Sequence, residues 1–277
     1  MIFSALPLLR WSGSALAVAF LFASVSLFAE DHLVVVFPGG PKPGSSGQRV
    51  IDDFVGKIEA DLKGSYFNET EKALAFLREN PNSFILGSTG FFLQAREELK
   101  LEPMLRVVLP NEKPEQYFLV SKKGSFSSLA DLEGKTVVGT PFHESAQFVE
   151  KVVFNGKVPS GFWTAEATER PLSALRKLTS GDIDAVLLAA PQYHGLAELP
   201  LADELDVVFE SRPVPSVGLM RVANDATAAK ANALKEAMLT LSQTPEGAEA
   251  AKGFGVAGFA EIEEEKIQSL IQLYDPS

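Results

Sequence analysis

Hydroxyls and glycines gather at four places where an apolar run gives way to a polar one, and each place offers hydrogen-bond donors rather than an activated nucleophile. The first is Pro38-Gly39-Gly40-Pro41-Lys42-Pro43-Gly44-Ser45-Ser46-Gly47-Gln48. Its backbone amides near Gly40, with the hydroxyls of Ser45 and Ser46, could cradle an oxyanion at a helix start. The rival reading is a surface loop in which Ser46 only caps the next helix. The second is Gly87-Ser88-Thr89-Gly90-Phe91. Ser88, Thr89 and the amide of Gly90 can hold an anion without any formal positive charge, although capping alone also calls for Ser or Thr before a helix. The third is Gly139-Thr140-Pro141-Phe142-His143-Glu144-Ser145-Ala146, with Thr140, His143 and Ser145 as its donors. In the fourth, Ala189-Ala190-Pro191-Gln192-Tyr193-His194, Gln192 and Tyr193 could hydrogen-bond or stack, and His194 could add a donor or a positive charge. The plain alternative there is a Tyr packed on the surface beside a solvated His.

Covalent and metal chemistry find less support. Ser145 follows His143 and Glu144, but the glycine-x-serine-x-glycine elbow of a nucleophile is absent. His143, Glu144 and His194 invite a metal reading, yet the chain has 3 His, none at i, i+4 spacing, and 0 Cys. The first loop lacks the glycine-lysine-serine/threonine end of a phosphate-binding P-loop. The expectation is a binding site without catalytic residues, metal or cofactor. The 20 Phe are read as core and surface packing rather than as a binding cage.

Short β-branched runs alternate with amphipathic helical stretches, which predicts an α/β fold with mainly parallel strands. Strands are expected at Leu33 to Phe37, Gly64 to Phe67, Ser83 to Gly87, Leu105 to Leu109, Gln116 to Ser121, Thr136 to Gly139, Ser160 to Thr164, Ala185 to Ala189, Asp206 to Glu210 and Val217 to Val222. Helices are expected at Arg49 to Leu62, Glu69 to Asn80, Phe92 to Leu99, Ser145 to Asn155, Pro171 to Ser180 and Ala226 to Thr240, with two more near the end. In open α/β sheets ligands sit beyond the carboxyl ends of the strands, where the four loops fall. Proline-rich breaks at Pro110 to Pro114 and at Arg212 to Ser216 read as two passages between lobes. They would divide the chain into lobe 1, residues 30–115 plus 212–277, and lobe 2, residues 116–211, the layout of a hinge-closing binder.

At the amino terminus, Arg10 precedes an uncharged run to Ala29, the layout of a secretory leader. Residues 1–29 are expected to be removed, with cleavage between Ser26 and Ala29; a retained anchor is the alternative. Without Cys there is no lipidation site behind the leader and no disulfide. The balance of 25 basic and 36 acidic residues, net −11, disfavours nucleic acid and anionic membrane surfaces as partners.

The stretch Leu129-Ala130-Asp131-Leu132-Glu133-Gly134-Lys135-Thr136-Val137-Val138-Gly139-Thr140-Pro141 resembles the opening of the second lobe in type 2 periplasmic binding proteins. Ala174-Leu175 through Leu178, then Ser180-Gly181-Asp182-Ile183-Asp184-Ala185-Val186-Leu187, looks like their returning helix and strand. The tail, Thr244-Pro245-Glu246-Gly247 and Phe254-Gly255-Val256-Ala257-Gly258-Phe259, is similar to the branch that binds phosphate, phosphite or phosphonate. This resemblance implies a two-lobed clamshell, ligand contacts at Ser88, Thr89 and Gly90, and a counterpart at Thr140 to Ser145. It also implies a periplasmic receptor, monomeric, that passes a small oxyanion to an ABC permease. A sensor that reports ligand to a membrane signalling partner, or an exported enzyme on the same fold, are the other readings. The third loop departs from the branch, since Phe142, His143 and Glu144 stand where serine, threonine and glycine are usual, leaving room for a larger or partly apolar ligand.

Overall fold

The computed structural model describes residues 30–40, 45–58, 61–112 and 114–276; residues 1–29, where a leader is expected, and the side chains of Ser45 and Ser46 lie outside the described residues. The first sheet has the order β11 (Gly258–Glu261), β4 (Leu101–Val108), β10 (Leu219–Val222), β3 (Ser83–Gly87), β1 (His32–Val36), β2 (Lys63–Phe67). Second from one edge lies β1 (His32–Val36), whose five residues are all buried, as expected of a strand covered on both faces. Parallel partners flank it, β2 (Lys63–Phe67) on one side and β3 (Ser83–Gly87) on the other. Helices α1 (Ser45–Lys57), α2 (Thr70–Glu79) and α3 (Thr89–Leu99) connect or follow these strands. Helix α2 buries Ala73, Leu74 and Leu77, one face at helical spacing. Helix α3 starts at a Ser88 cap and ends at Lys100, whose φ of 53° is left-handed.

The second sheet has the order β7-β6-β8-β5-β9. It comprises β5 (Tyr117–Lys122), β6 (Thr136–Gly139), β7 (Thr164–Ala167), β8 (Ala185–Ala189) and β9 (Leu205–Glu210), with helices α4 (Pro171–Ser180) and α5 (Ala190–Leu196). Pro171 at the first turn and Gly181 at φ +85° beyond the last give α4 sharp ends. The chain then returns to the first sheet through β10 (Leu219–Val222) and adds α6 (Asp225–Thr240), α7 (Pro245–Gly253), β11 (Gly258–Glu261) and α8 (Glu264–Tyr274). The outward passage follows β4 (Leu101–Val108) and the return follows β9. They lie side by side, bridged at Glu115 and Val214, where the Val214 amide donates to the Glu115 carbonyl at 2.8 Å.

The two-sheet α/β architecture agrees with the sequence reading, but the sheets are mixed rather than mainly parallel. Both passages run at the carboxyl ends of the parallel strands. A strand that receives the chain there, β5 or β10, must begin at that end and run antiparallel to its neighbours. Strand β7 lies at Thr164–Ala167, not at 160 to 164, and β11 was not foreseen. The helix expected from Ser145 is a six-residue π-helical turn, Phe148–Val153. Helix α8 packs on that turn, and α3 does so too. One apolar cluster therefore passes from Phe91, Phe92 and Leu93 of α3 through Phe148, Val149 and Val152 to Leu119 and Leu187 of the second sheet.

Candidate ligand-binding cleft

At the mouth of the first sheet, β1 ends in a tight turn. The Gly39 amide donates to the Asn68 carbonyl at 3.2 Å, the Gly40 amide donates to the Phe37 carbonyl at 2.9 Å, and Asn68 Nδ2 returns to the Gly40 carbonyl at 3.2 Å. Gly39 has φ +70°, and a β-carbon there would stand 2.1 Å from Cδ2 of His143. The position therefore needs glycine twice, for backbone and for space. A β-carbon on Gly40 would meet the Phe37 ring at 2.5 Å and the Tyr66 hydroxyl at 2.6 Å.

The start of α3 divides its two hydroxyls between tasks. Ser88 Oγ accepts from the Phe91 amide at 3.0 Å, an N-cap. Thr89, 1% exposed, accepts from the Val217 amide at 3.0 Å and lies 3.4 Å from the Pro215 carbonyl. Thr89 thus ties α3 to the returning passage. Gly90 faces the second lobe, where a β-carbon on it would lie 2.5 Å from Glu144 Oε2.

From the second lobe, the 3-10 turn Thr140–His143 brings His143 against Gly39 and Glu144 against Ser88 and Gly90. Glu144 Oε2 and His143 Nε2 are shut off from solvent and have no hydrogen-bond partner among the described residues. Burial pushes the Glu144 carboxyl up to about 7, with the Ser88 hydroxyl pulling it back and the charge of Glu115 pushing it further. Glu115 is likewise raised to about 7 by burial, against hydrogen bonds from Tyr117 and Thr89. The Tyr117 hydroxyl donates to Glu115 Oε1 at 2.7 Å; burial, then the charge of Glu115, holds that phenol well above its ordinary range. Loop and strand ends thus bring together hydroxyls, backbone amides, an imidazole and two carboxylates. Such a set can bind, orient and share a proton with a small polar ligand.

The model of the periplasmic substrate-binding proteins of phosphonate ABC transporters matches residues 48–267. The chain belongs to this family. It is therefore a periplasmic-type solute-binding receptor, in a family of transporter components. No curated protein sequence matches it. Solved structures resemble it in fold at low identity. XAC2383 from Xanthomonas citri, bound to chloride ion, has a TM-score of 0.69 at 16% identity, covering 88% of this chain and 96% of that one. A binding protein component of an ABC phosphonate transporter from Pseudomonas aeruginosa has a TM-score of 0.65 at 14% identity, covering 88% and 85%. PhnD1 from Prochlorococcus marinus, in complex with methylphosphonate, has a TM-score of 0.63 at 12% identity, covering 88% and 97%.

The other residues singled out in this binding protein have the following places. Thr140 Oγ1 accepts from Gln192 Nε2 at 3.0 Å, and Gln192 Oε1 accepts from the Ala189 amide at 3.1 Å, so Gln192 fastens the α5 start to the third loop. Ser145 Oγ caps the Phe148 amide at 3.2 Å and lies 3.3 Å from the Tyr274 hydroxyl of α8. Tyr193 stacks on Phe118 at 3.9 Å and 11°, and His194 meets the same ring edge-on at 5.7 Å. Tyr193 packs against the apolar cluster of the second sheet. Glu115, Tyr117 and Gly39 were missed by sequence reasoning. Glu144 entered the sequence reading as a possible metal ligand and as a departure of the third loop from the family pattern, not as a ligand-binding residue. A carboxylate beside proline, as in Glu115, looks like any loop acid until the second passage is laid against it.

Proposed function

We propose that this receptor captures a small phosphonate- or phosphate-like oxyanion between the α3 start and the Thr140–Ser145 loop and delivers it to an ABC permease. Delivery works by opening and closing about the segments near Pro110 to Gln116 and Arg212 to Ser216. The observation that carries this reading is the meeting of two polar segments, one from each lobe, the α3 start at Ser88-Gly90 and the end of the 3-10 turn at His143-Glu144. Both contribute to one ligand only when the lobes are together, so a ligand binding both shifts the population toward closure. Backbone amides and the Ser88 hydroxyl supply the anion's partners, as at other helix starts. The half-exposed Phe37 ring, 55% accessible beside Gly40, offers an apolar face for an organic substituent. The same reading has the protein exported by its leader, matured between Leu27 and Glu30, monomeric and without turnover of its ligand.

The test is a thermal-shift screen with methylphosphonate, phosphite, phosphate and short carboxylates, followed by calorimetry. A ligand at about 100 times its Kd should add about 2.7 kcal/mol of stability. A shift with carboxylates alone, or turnover of a phosphonate, would remove the reading.

A further inference from the structure

The Glu144 carboxylate already occupies the amino-terminal turn of α3, with its Oε2 close over Gly90 and its charge favoured by the Ser88 hydroxyl. That oxygen is buried, has no partner among the described residues and lies against the turn whose amides would receive an anion. An incoming oxyanion must therefore meet a carboxylate brought by the opposite lobe. The titratable groups around it are Glu115 and Tyr117, bonded to each other at 2.7 Å, and His143, whose Nε2 is also buried without a partner. Among the described residues neither Glu144 nor Glu115 forms an ion pair.

We propose that Glu144 is a specificity-determining residue, which admits oxyanions able to share a proton with it, the phosphonate and phosphate class, and excludes same-shaped sulfonates and sulfate. The proposal rests on reading the cleft as an oxyanion site. An ionised carboxylate is only an acceptor, and so is a sulfonate near neutral pH. Two acceptors pressed together in a dry junction gain no hydrogen bond and repel. A phosphonate monoanion differs by one O–H. That group donates to Glu144 while the other oxygens accept from Ser88 and the α3 amides. If the dianion enters, one proton is taken up from solvent and held between the two groups. Because the Glu144 carboxyl titrates near 7, acid conditions let it supply the proton itself, and the discrimination shrinks.

The experiment is calorimetry on the purified protein with methylphosphonate and methanesulfonate, at about pH 8 and about pH 5.5, above and below that value. The protein as it stands should prefer methylphosphonate by roughly 10- to 100-fold at the higher pH and by less at the lower. Glu144→Gln, whose amide donates to either ion, should bring the two affinities within a few-fold at both. Equal affinities in the unchanged protein at the higher pH would overturn the proposal, as would an undiminished preference in folded Glu144→Gln. If that variant does not fold, the pH series on the unchanged protein decides alone, and a preference equal at both pH values overturns it. Failure of both ions to bind at either pH would instead strike the oxyanion reading beneath it.

Discussion

Thr89 and Ser88 are neighbours with different expected phenotypes. The Thr89 hydroxyl serves the Val217 amide and the buried Glu115 carboxylate, so Thr89→Val, nearly the same shape, leaves buried polar groups unmet. That should cost about 1 to 3 kcal/mol in denaturant unfolding. Ser88→Ala should cost about 1 kcal/mol as a lost cap and in addition weaken methylphosphonate in calorimetry. A pure loss of stability at Ser88 would assign it to capping alone. The two raised carboxyls also set a pH trend. Each binds its proton more tightly in the closed, folded form than in the unfolded chain. The stability they contribute is complete below the ordinary carboxylate range and is lost as pH rises through about 7. Asp275, held low by the Arg96 hydrogen bond, acts oppositely, and its contribution is lost as pH falls through its depressed range. The melting temperature should therefore peak at about pH 5 and decline toward about pH 8, a decline that Glu144→Gln should flatten. A melting temperature that instead rises across that window would contradict the burial of these carboxyls.

At the scale of elements, α3, α8 and the π-helical turn form a latch between the lobes. Arg96 of α3, 8% exposed, donates to the Leu93 carbonyl at 2.7 Å and to Asp275 Oδ2 at 2.6 Å. Gln147, ahead of the turn, donates to Asp275 Oδ1 and to the Tyr274 carbonyl, both at 2.8 Å. Asp275→Ala should cost roughly 1 to 2 kcal/mol in thermal unfolding, since the buried guanidinium keeps its Leu93 bond and the lost carboxylate is half-exposed. An unchanged melting temperature would show the latch to be incidental. None of this was legible in the chain order, where residues 96, 147 and 275 stand far apart. Strands such as His32–Val36 and Ser83–Gly87 were legible because burial on both faces demands an unbroken apolar run. The exposed β7, with all four residues accessible, carried no such demand and was placed a few residues early. Helix α5 is hidden in the sequence because Ala190-Pro191 resembles a break, whereas proline in the first helical turn is a start. The site divides the same way. Ser88 and Gly90 follow from their place after a buried strand, while Glu115 and Glu144 become neighbours only when the outward passage and the third loop are folded together.

For the whole molecule, we take the paired passages as the pivot. With no native Cys, fluorescent labels on Glu71→Cys in α2 and Ser180→Cys at the end of α4 report one lobe each, both positions being exposed. Methylphosphonate should shorten their separation, and small-angle scattering should show a smaller radius of gyration. Saturation without change in either quantity would favour a rigid binding module. The apolar cluster that runs unbroken through both lobes sets a further requirement on any such motion. Parting the lobes wets Phe148, Val149 and Leu93, and hydrating hydrocarbon raises heat capacity. Capture should accordingly show a negative heat-capacity change larger than a small ion could produce by itself. The receptor is then a thermometer as well as a trap. Cooling weakens the cohesion of that shared core, so the resting molecule should gape more in the cold and bind its ligand less tightly there.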